Sequence, residues 1–425
     1  MVERRKPITV HEAIENTMKF ARTGSVHHVP IEECQGRFLG EDLIADHNVP
    51  PFDRSPYDGF AVRAEDTETA SSGNPITFSV IGGIGAGSIF TNTVENMQAV
   101  RIMTGAQIPE GTNAVLSFES VEEKMEKGKA GFVVHQPVQP GDNIVFIGED
   151  TTKGSTLVQK GTYITSGIVA LLATFGYQRV PVSEQPKVGI IATGSELLDI
   201  AEELQPGKIR NSNAYMVHAQ VERAGGKATY LGKFEDDVNT CYIQMSSALE
   251  QVDILITTGG VSVGDFDYLP DIYERMGANV LFNKVAMRPG SVTTIAEKDG
   301  KLLFGLSGNP SACYVGFELF CRPIIRHYLH STEPFLNRIH ATLGVDFLKT
   351  NVVDRFVRGY LSYKDGEVIA IPDGLDKSNA ISSLAKANVL IWLPKGTEGY
   401  KEGSKVEALM LEDQDGMTWT AFSEA

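Results

Sequence analysis

The chain has 425 residues, 42% of them hydrophobic and 22% charged, with a formal net charge of −16 at pH 7. That length exceeds what one hydrophobic core supports and predicts two to four domains. The acidic balance leaves no basic excess to neutralise phosphates, which excludes a general nucleic-acid binder, and no apolar run approaches the roughly 20 residues of a membrane span.

The first residues, MVERRKPITV, carry charge without an apolar stretch and do not read as a secretory signal. Cys34, Cys241, Cys313 and Cys321 lack paired spacing and are expected as buried thiols in a reducing, cytoplasmic compartment. Thr9 followed by Glu12 is a capping box ahead of Val10, Ala13, Ile14 and Met18, predicting a first helix. Residues 29–46 read as a short strand, a turn at Gly36 and a GEDLIAD segment that suits helix or strand. In residues 48–63, Pro50, Pro51 and Pro56 predict a stiff extended loop. It presents Asp58 either to a site or to an Asx-type turn with Gly59. From Thr77 to Gly148, short β runs broken by glycine predict a small all-β insert. Within it Thr104 ends the RIMTG run, its hydroxyl serving a ligand or merely closing a turn. Residues 149–185 return to the first texture, with Ser166 capping an apolar helix that ends at Gly176.

From Pro186 the pattern alternates. KVGIIAT, ATYLG, VDILITT, ANVLFNKVAM and LLFGLS read as strands. Asn211-Ser212-Asn213 caps one helix; VNTCYIQMSSALEQ, YLPDIYERMG and ACYVGFELFCRPIIRHYL supply others. Such alternation predicts a parallel, helix-covered sheet whose ligands collect beyond the C-terminal strand ends. The last 95 or so residues are β-like, with a hairpin turn at Lys364-Asp365-Gly366.

The predicted strand ends gather polar loops carrying Glu196, Asp236, Asp265 and Asp267. In VDILITTGGVSVGDFDY, a buried strand breaks into Gly259-Gly260. This is either an ordinary turn with solvated acids or a place where N–H groups meet an anion and carboxylates hold a metal ion. SGNPSA at 307–312 opens a helix and offers an anion free N–H groups and the hydroxyls of Ser307 and Ser311. Lys284 and Arg288 face the same side if their strand is regular, which suits a dianion. From these residues alone the expectation is a phosphate- or nucleotide-binding α/β enzyme using Mg²⁺.

PPFDRSPYDGFAVR, RIMTGAQIP, GDNIVFIGED, GIIATGSEL, GKIRNSNAYM, TTGGVSVGDFDY, VAMRPGS, GLSGNPSA and SNAISSLAKANVLIWLP stand here in one order. With them the chain resembles the molybdopterin molybdenumtransferase family, the bacterial MoeA proteins and the related E domain of gephyrin. The resemblance implies a multidomain α/β plus β fold. An elongated N-terminal domain (1–46 and 147–185, dimerisation) is interrupted by a β domain (47–146). A MogA/MoaB-like α/β domain (186–332) binds molybdopterin, and a β-barrel-like domain (333–425) follows. It further implies a homodimer that takes adenylated molybdopterin and molybdate with Mg²⁺, inserts molybdenum into the dithiolene and releases AMP. Asp58, Thr104, Glu196, Asp236 and Asp267 match catalytic positions, with Asp236 and Asp267 toward the metal. Gly259, Gly260, Ser262, Lys284, Arg288, Ser307, Gly308, Asn309, Pro310 and Ser383 match substrate positions, the glycine turn on the adenylate phosphate side. The implied protein partners are a molybdopterin adenylyltransferase and molybdoenzyme maturation proteins.

Three departures mark this chain. Val145 replaces an arginine, Arg288 and Ser291 stand in a loop that usually carries two lysines, and Ser307 replaces a proline. Two other readings are a molybdopterin adenylyltransferase, against which the additional N- and C-terminal domains speak, and a non-catalytic pterin-binding scaffold, against which the retained acids speak.

Overall fold

A computed structural model of the chain describes residues 6–126, 128–234, 238–260, 269–411, 416, 417 and 419–423. It divides into two compact units, Asp42–Val158 and Met1–Glu41 with Gln159–Ala425.

The smaller unit is built on six strands: β1 (Gly59–Val62), β2 (Ile76–Ile84), β3 (Gln98–Ile102), β4 (Ala114–Ser117), β5 (Glu122–Glu126) and β6 (Lys129–Val134), in sheet order β4-β1-β3-β2-β6-β5. Only β2 and β3 run parallel. The core face is aromatic: the Phe132 ring stacks on Phe60 at 4.2 Å and on Phe78 at 5.3 Å between centroids. The proline-rich segment expected to be loop throughout therefore ends in strand β1. Its three prolines precede Gly59, so none interrupts the ladder.

In the larger unit Thr9 and Glu12 form the expected reciprocal cap on α1 (Val10–Met18). Helix α2 (Ser166–Thr174) begins one residue earlier than a Ser166 cap requires. Thr165 is its N-cap, and no side chain closes it. The GEDLIAD segment, in the other unit from Asp42 on, resolves to the two-residue strand Leu43–Ile44.

The α/β region places β7 (Lys187–Thr193), α3 (Asn213–Ala224), β8 (Lys227–Phe234), α4 (Val238–Gln251), β9 (Ile254–Thr258), α5 (Leu269–Arg275), β10 (Asn279–Phe282), β11 (Thr294–Lys298) and β12 (Lys301–Leu306) in sheet order β8-β7-β9-β12-β11-β10. The first four strands are parallel and the last two antiparallel. The sheet is thus mixed rather than all parallel, because β11 and β12 join through a turn and the segment from β10 to β11 contains no crossover helix. Alternate residues bury opposite faces. Ile190, Ile254, Ile256 and Phe304 pack into one core, and Ile191, Leu255 and Leu303 into the other. Both faces being covered, the strands read as unbroken apolar runs.

The last helical segment runs as α6 (Pro310–Gly316), a π-helical turn (Phe317–Cys321) and α7 (Arg322–Tyr328). The C-terminal strands β13 (Arg338–Leu343), β14 (Asp354–Lys364), β15 (Glu367–Pro372), β16 (Val389–Leu393) and β17 (Lys405–Met410) close on themselves in the ring β14-β15-β13-β17-β16-β14, a five-stranded barrel. The β14–β15 hairpin turns at Asp365 and Gly366, both with positive φ, as the sequence predicts.

All four cysteines are buried thiols, and burial pushes the Cys321 thiol well up. The folded protein is therefore expected to give no reaction with a thiol reagent such as Ellman's, and four equivalents after unfolding. A fast-reacting thiol in the native state would contradict this burial.

Candidate functional site

The C-terminal ends of β7, β9 and β12 bring three loops together. After β9, Gly259 (φ +93°) and Gly260 (φ +68°) take left-handed conformations. A Cβ on Gly259 would lie 2.4 Å from the Thr193 carbonyl oxygen of β7. The Gly259 N–H donates to the Leu306 carbonyl at 3.0 Å, fastening this turn to the end of β12. There a Cβ on Gly308 would stand 3.5 Å from the Gly259 Cα, an ordinary contact. Glycine at 259 thus lets the turn approach the backbone of β7 at the mouth of the sheet.

Asn213, at the start of α3, donates through Nδ2 to the Gly308 carbonyl at 2.9 Å. Its buried Oδ1 accepts nothing among the described residues. The capping reading of this segment found half of its role. Asn211 accepts from the Ala214 N–H at 3.2 Å, whereas Asn213 joins the helix to the loop after β12. Glu196 follows β7 with an exposed carboxylate and no side-chain hydrogen bond among the described residues. Asp236, Asp267 and Ser262 lie outside the described residues, as does Asp265. Among the described residues no three His, Cys, Asp or Glu side chains group around a potential metal position.

Lys284 and Arg288 do not share a regular strand. The run ANVLFNKVAM breaks after β10. Val285 forms a lone parallel bridge with Ile8, and Met287–Arg288 pairs with Asp354 and Arg355 at the start of barrel strand β14. An apolar run alone does not tell a strand that stays in its sheet from one handed to a second sheet. The consequence is that Arg288 stands by the barrel. With Ser291, Asn309, Arg355, Asp376 and Lys377 it lines a cavity of about 550 Å³. Arg288 and Lys377 are exposed and form no ion pair among the described residues. Arg355 is nearly buried and donates through Nη1 to Asp376 at 2.6 Å and through Nε to Asn351 at 2.7 Å.

The other substrate positions have more structural roles than the sequence reading gave them. Ser307 accepts from the Asn309 N–H at 3.2 Å, a local turn in place of the ring of a proline. Asn309 is the N-cap of α6 without a side-chain bond, and Pro310 is its first residue. Ser311 does not offer its groups to an anion. Its N–H and hydroxyl donate to the carbonyls of Ser378 and Ala380, tying α6 to the loop that follows β15. Ser383 is fully buried and accepts from Arg358 Nε at 2.9 Å. Arg358 is itself buried and also donates to the Leu375 carbonyl, so Ser383 orders the loop that carries Asp376 and Lys377.

In the smaller unit, Asp58 and Thr104 meet. The Thr104 N–H and hydroxyl both donate to Asp58 Oδ1, at 2.7 and 2.8 Å. The expected Asx-type turn is replaced by this bond between segments. The Thr104 N–H above all, then its hydroxyl, with a smaller contribution from the charge of Arg101, hold the exposed Asp58 carboxyl below its ordinary range. Val145, one of the departures, pairs through its backbone with Arg54 in both directions at 3.0 Å.

Residues 8–176 match the family model of the MoeA N-terminal region (domain I and II), residues 189–327 that of a probable molybdopterin binding domain, and residues 340–411 that of the MoeA C-terminal region (domain IV). The chain is 54% identical over 419 residues to a protein of Bacillus subtilis strain 168 named molybdopterin molybdenumtransferase, covering 99% of this chain and 97% of that one. A Staphylococcus aureus protein of the same name is 47% identical over 412 residues, covering 97% of each. A crystal structure of the molybdopterin biosynthesis moeA protein from Pyrococcus horikoshii OT3 superposes with a TM-score of 0.82 at 32% identity, over 95% of this chain and 100% of that one.

Proposed function

The chain belongs to the molybdopterin molybdenumtransferase (MoeA) family, and on that premise we propose that it inserts molybdenum from molybdate into adenylated molybdopterin and releases AMP. The observation that carries the site assignment is the cavity beside Arg288. Unpaired Arg288 and Lys377 stand there with Arg355, within reach of the loop after β12. Three cations and one carboxylate leave a net charge suited to a dianion, and molybdate is the substrate we place there. The paired turns at Gly259-Gly260 and Ser307-Gly308 form the neighbouring surface, on which the adenylate phosphate of the pterin substrate is placed.

Mg²⁺ is proposed as cofactor from the chemistry of the donor set. In sequence Asp236 and Asp267 follow β8 and β9, and Glu196 follows β7 with an exposed carboxylate. Mg²⁺ takes only one or two carboxylates beside phosphate oxygens and water, so these residues fit it. When bound, it supplies positive charge to the phosphate oxygens. Asp58, whose carboxyl Thr104 holds below its ordinary range, is a further proposed carboxylate of the reaction.

A homodimer in the cytoplasm is the proposed working form, in line with the buried reduced thiols. A molybdopterin adenylyltransferase is its proposed supplier and molybdoenzyme maturation proteins are its recipients. Adenylation by this chain itself is disfavoured because all three family models of the MoeA chain match along its length.

The test supplies pure protein with adenylated molybdopterin, molybdate and Mg²⁺ and follows AMP together with activation of an apo-molybdoenzyme. Molybdate-dependent AMP release with active product is expected. AMP-ester formation from ATP without molybdate would instead assign the adenylyltransferase reaction. In the same assay Arg288→Ala is expected to raise the molybdate concentration for half-maximal rate about tenfold, the worth of a charged hydrogen bond. An unchanged molybdate requirement would move the oxyanion elsewhere.

A further inference from the structure

Asn213 leaves half of its carboxamide unused in a place where that is unfavourable, and the fold supplies no reason for it. The residue is 8% exposed. Its Nδ2 donates to the Gly308 carbonyl at 2.9 Å, while Oδ1 accepts no hydrogen bond among the described residues. The partner is a carbonyl, so only the amino end can face it, which fixes the orientation of the amide. A buried acceptor without a donor loses its hydration and recovers nothing. Nor does α3 need this residue to begin. Asn211 accepts from the Ala214 N–H at 3.2 Å and donates through Nδ2 to the Tyr230 hydroxyl at 3.0 Å, using both ends. A leucine at 213 would keep the branched shape without the buried oxygen, so stability does not call for the asparagine.

The bond to Gly308 holds a loop. On one side of it the Leu306 carbonyl accepts from the Gly259 N–H at 3.0 Å, and on the other Ser311 is tied to the carbonyls of Ser378 and Ala380. Between those anchors, Asn213 gives the one side-chain hydrogen bond that reaches residues 307–310 from another element among the described residues. Gly308 is exposed and, as a glycine, has the widest choice of backbone conformations, so its place is set from outside. About two turns on, along the same stripe of α3, buried Gln220 donates to the Tyr314 carbonyl at 3.3 Å and to Glu318 at 2.6 Å. One stripe of α3 thus grips the segment after β12 twice, at the loop through Asn213 and in the core through Gln220.

We infer that Asn213 is a positioning residue for the reaction. It fixes the Ser307-Gly308-Asn309 loop beside the Gly259-Gly260 turn, so that the adenylate phosphate meets a surface already in place. Its Oδ1 is closed off from solvent, so it acts through Gly308 and does not touch substrate. The inference rests on the placement of the adenylate on these two turns. A loop ordered in advance need not be ordered at binding, and the benefit falls on affinity more than on turnover.

The test measures AMP binding to the full-length chain with Mg²⁺ by equilibrium dialysis, the melting temperature, and KM and kcat for adenylated molybdopterin. Asn213→Leu is expected to melt close to wild type and to bind AMP about tenfold more weakly. Its KM is expected to rise about tenfold, with kcat changed by at most about threefold. Asn213→Ala, which removes the carboxamide without adding bulk, is expected to weaken AMP to the same extent. Gln220→Leu takes a donor from the buried Glu318 carboxylate and is expected to melt lower yet bind AMP like wild type. AMP binding unchanged in both Asn213 variants overturns the inference. So does a loss of affinity in Gln220→Leu equal to that in Asn213→Leu, which would make both residues merely structural. If the wild-type chain neither binds AMP nor releases it, the placement of the adenylate falls, and this inference with it.

Discussion

Asp58→Asn is expected to lower the rate of molybdenum insertion by about 10²–10³-fold while leaving thermal stability within about 0.5 kcal/mol of wild type. The asparagine Oδ1 can still accept both hydrogen bonds that Thr104 gives Asp58 Oδ1, so the local geometry is kept and only the charge is removed. Asp58 is exposed, and its substitution opens no cavity. Thr104→Val separates the two donors. It deletes the hydroxyl and keeps the stronger N–H bond, so a smaller loss, about tenfold, is expected. The sign of the pH effect follows from the same contacts. Because Thr104 and, less so, Arg101 depress the Asp58 pKa, the carboxylate stays ionised to lower pH than an ordinary aspartate, and this group gives the rate no acidic limb above the ordinary carboxylate range. A steady-state rate profile from pH 5 to 8 checks this, and an Asp58→Asn enzyme with the wild-type rate would remove Asp58 from the reaction.

Gly259→Val is expected to destabilise the larger unit by about 3 kcal/mol, read as a lower urea midpoint. About half comes from forcing a β-branched residue to φ +93°, the rest from a Cβ placed 2.4 Å from a carbonyl oxygen. That oxygen belongs to the buried strand β7 and has little freedom to retreat. Gly260→Ala should be milder. Its φ of +68° lies nearer the left-handed minimum, and its Cβ would meet the Thr193 hydroxyl, a side-chain atom that can turn away, at 3.0 Å. Equal stability of Gly259→Val and wild type, or a reversed order of the two variants, would refute the account of this turn.

Much of this was legible in the chain because both α/β layers write themselves as periodicity. Strands β7, β9 and β12, buried on two faces, stand out as apolar runs ending in glycine or serine loops, and the candidate site was sought at those ends. The antiparallel end of the sheet was hidden. Nothing before Pro289 marks the point near Asn283 where the chain leaves β10 and, at Met287, joins the barrel, so Lys284 and Arg288 were read as one strand. Arg355 and Asp376 were missed for a related reason. Arg355 lies in RFVRGY, where arginines interrupt strand β14 that is otherwise apolar and buried, and a buried cation in a strand is a signal that something must answer its charge. Asp376 sits in a loop without local pattern, and only the fold brings it to Arg355. Asp58 and Thr104, 46 positions apart, were each noticed but could not be joined, since their contact depends on the pairing of β1 with β3.

The five barrel strands each have a hydrogen-bonded neighbour on both sides. No strand of that ring is an edge along its whole length, which disfavours recruitment of a partner by strand addition to the barrel. A protein that docks on the barrel must instead recognise its side chains and those of the connecting loops. Its affinity is therefore expected to respond to single loop substitutions far more than main-chain zippering would.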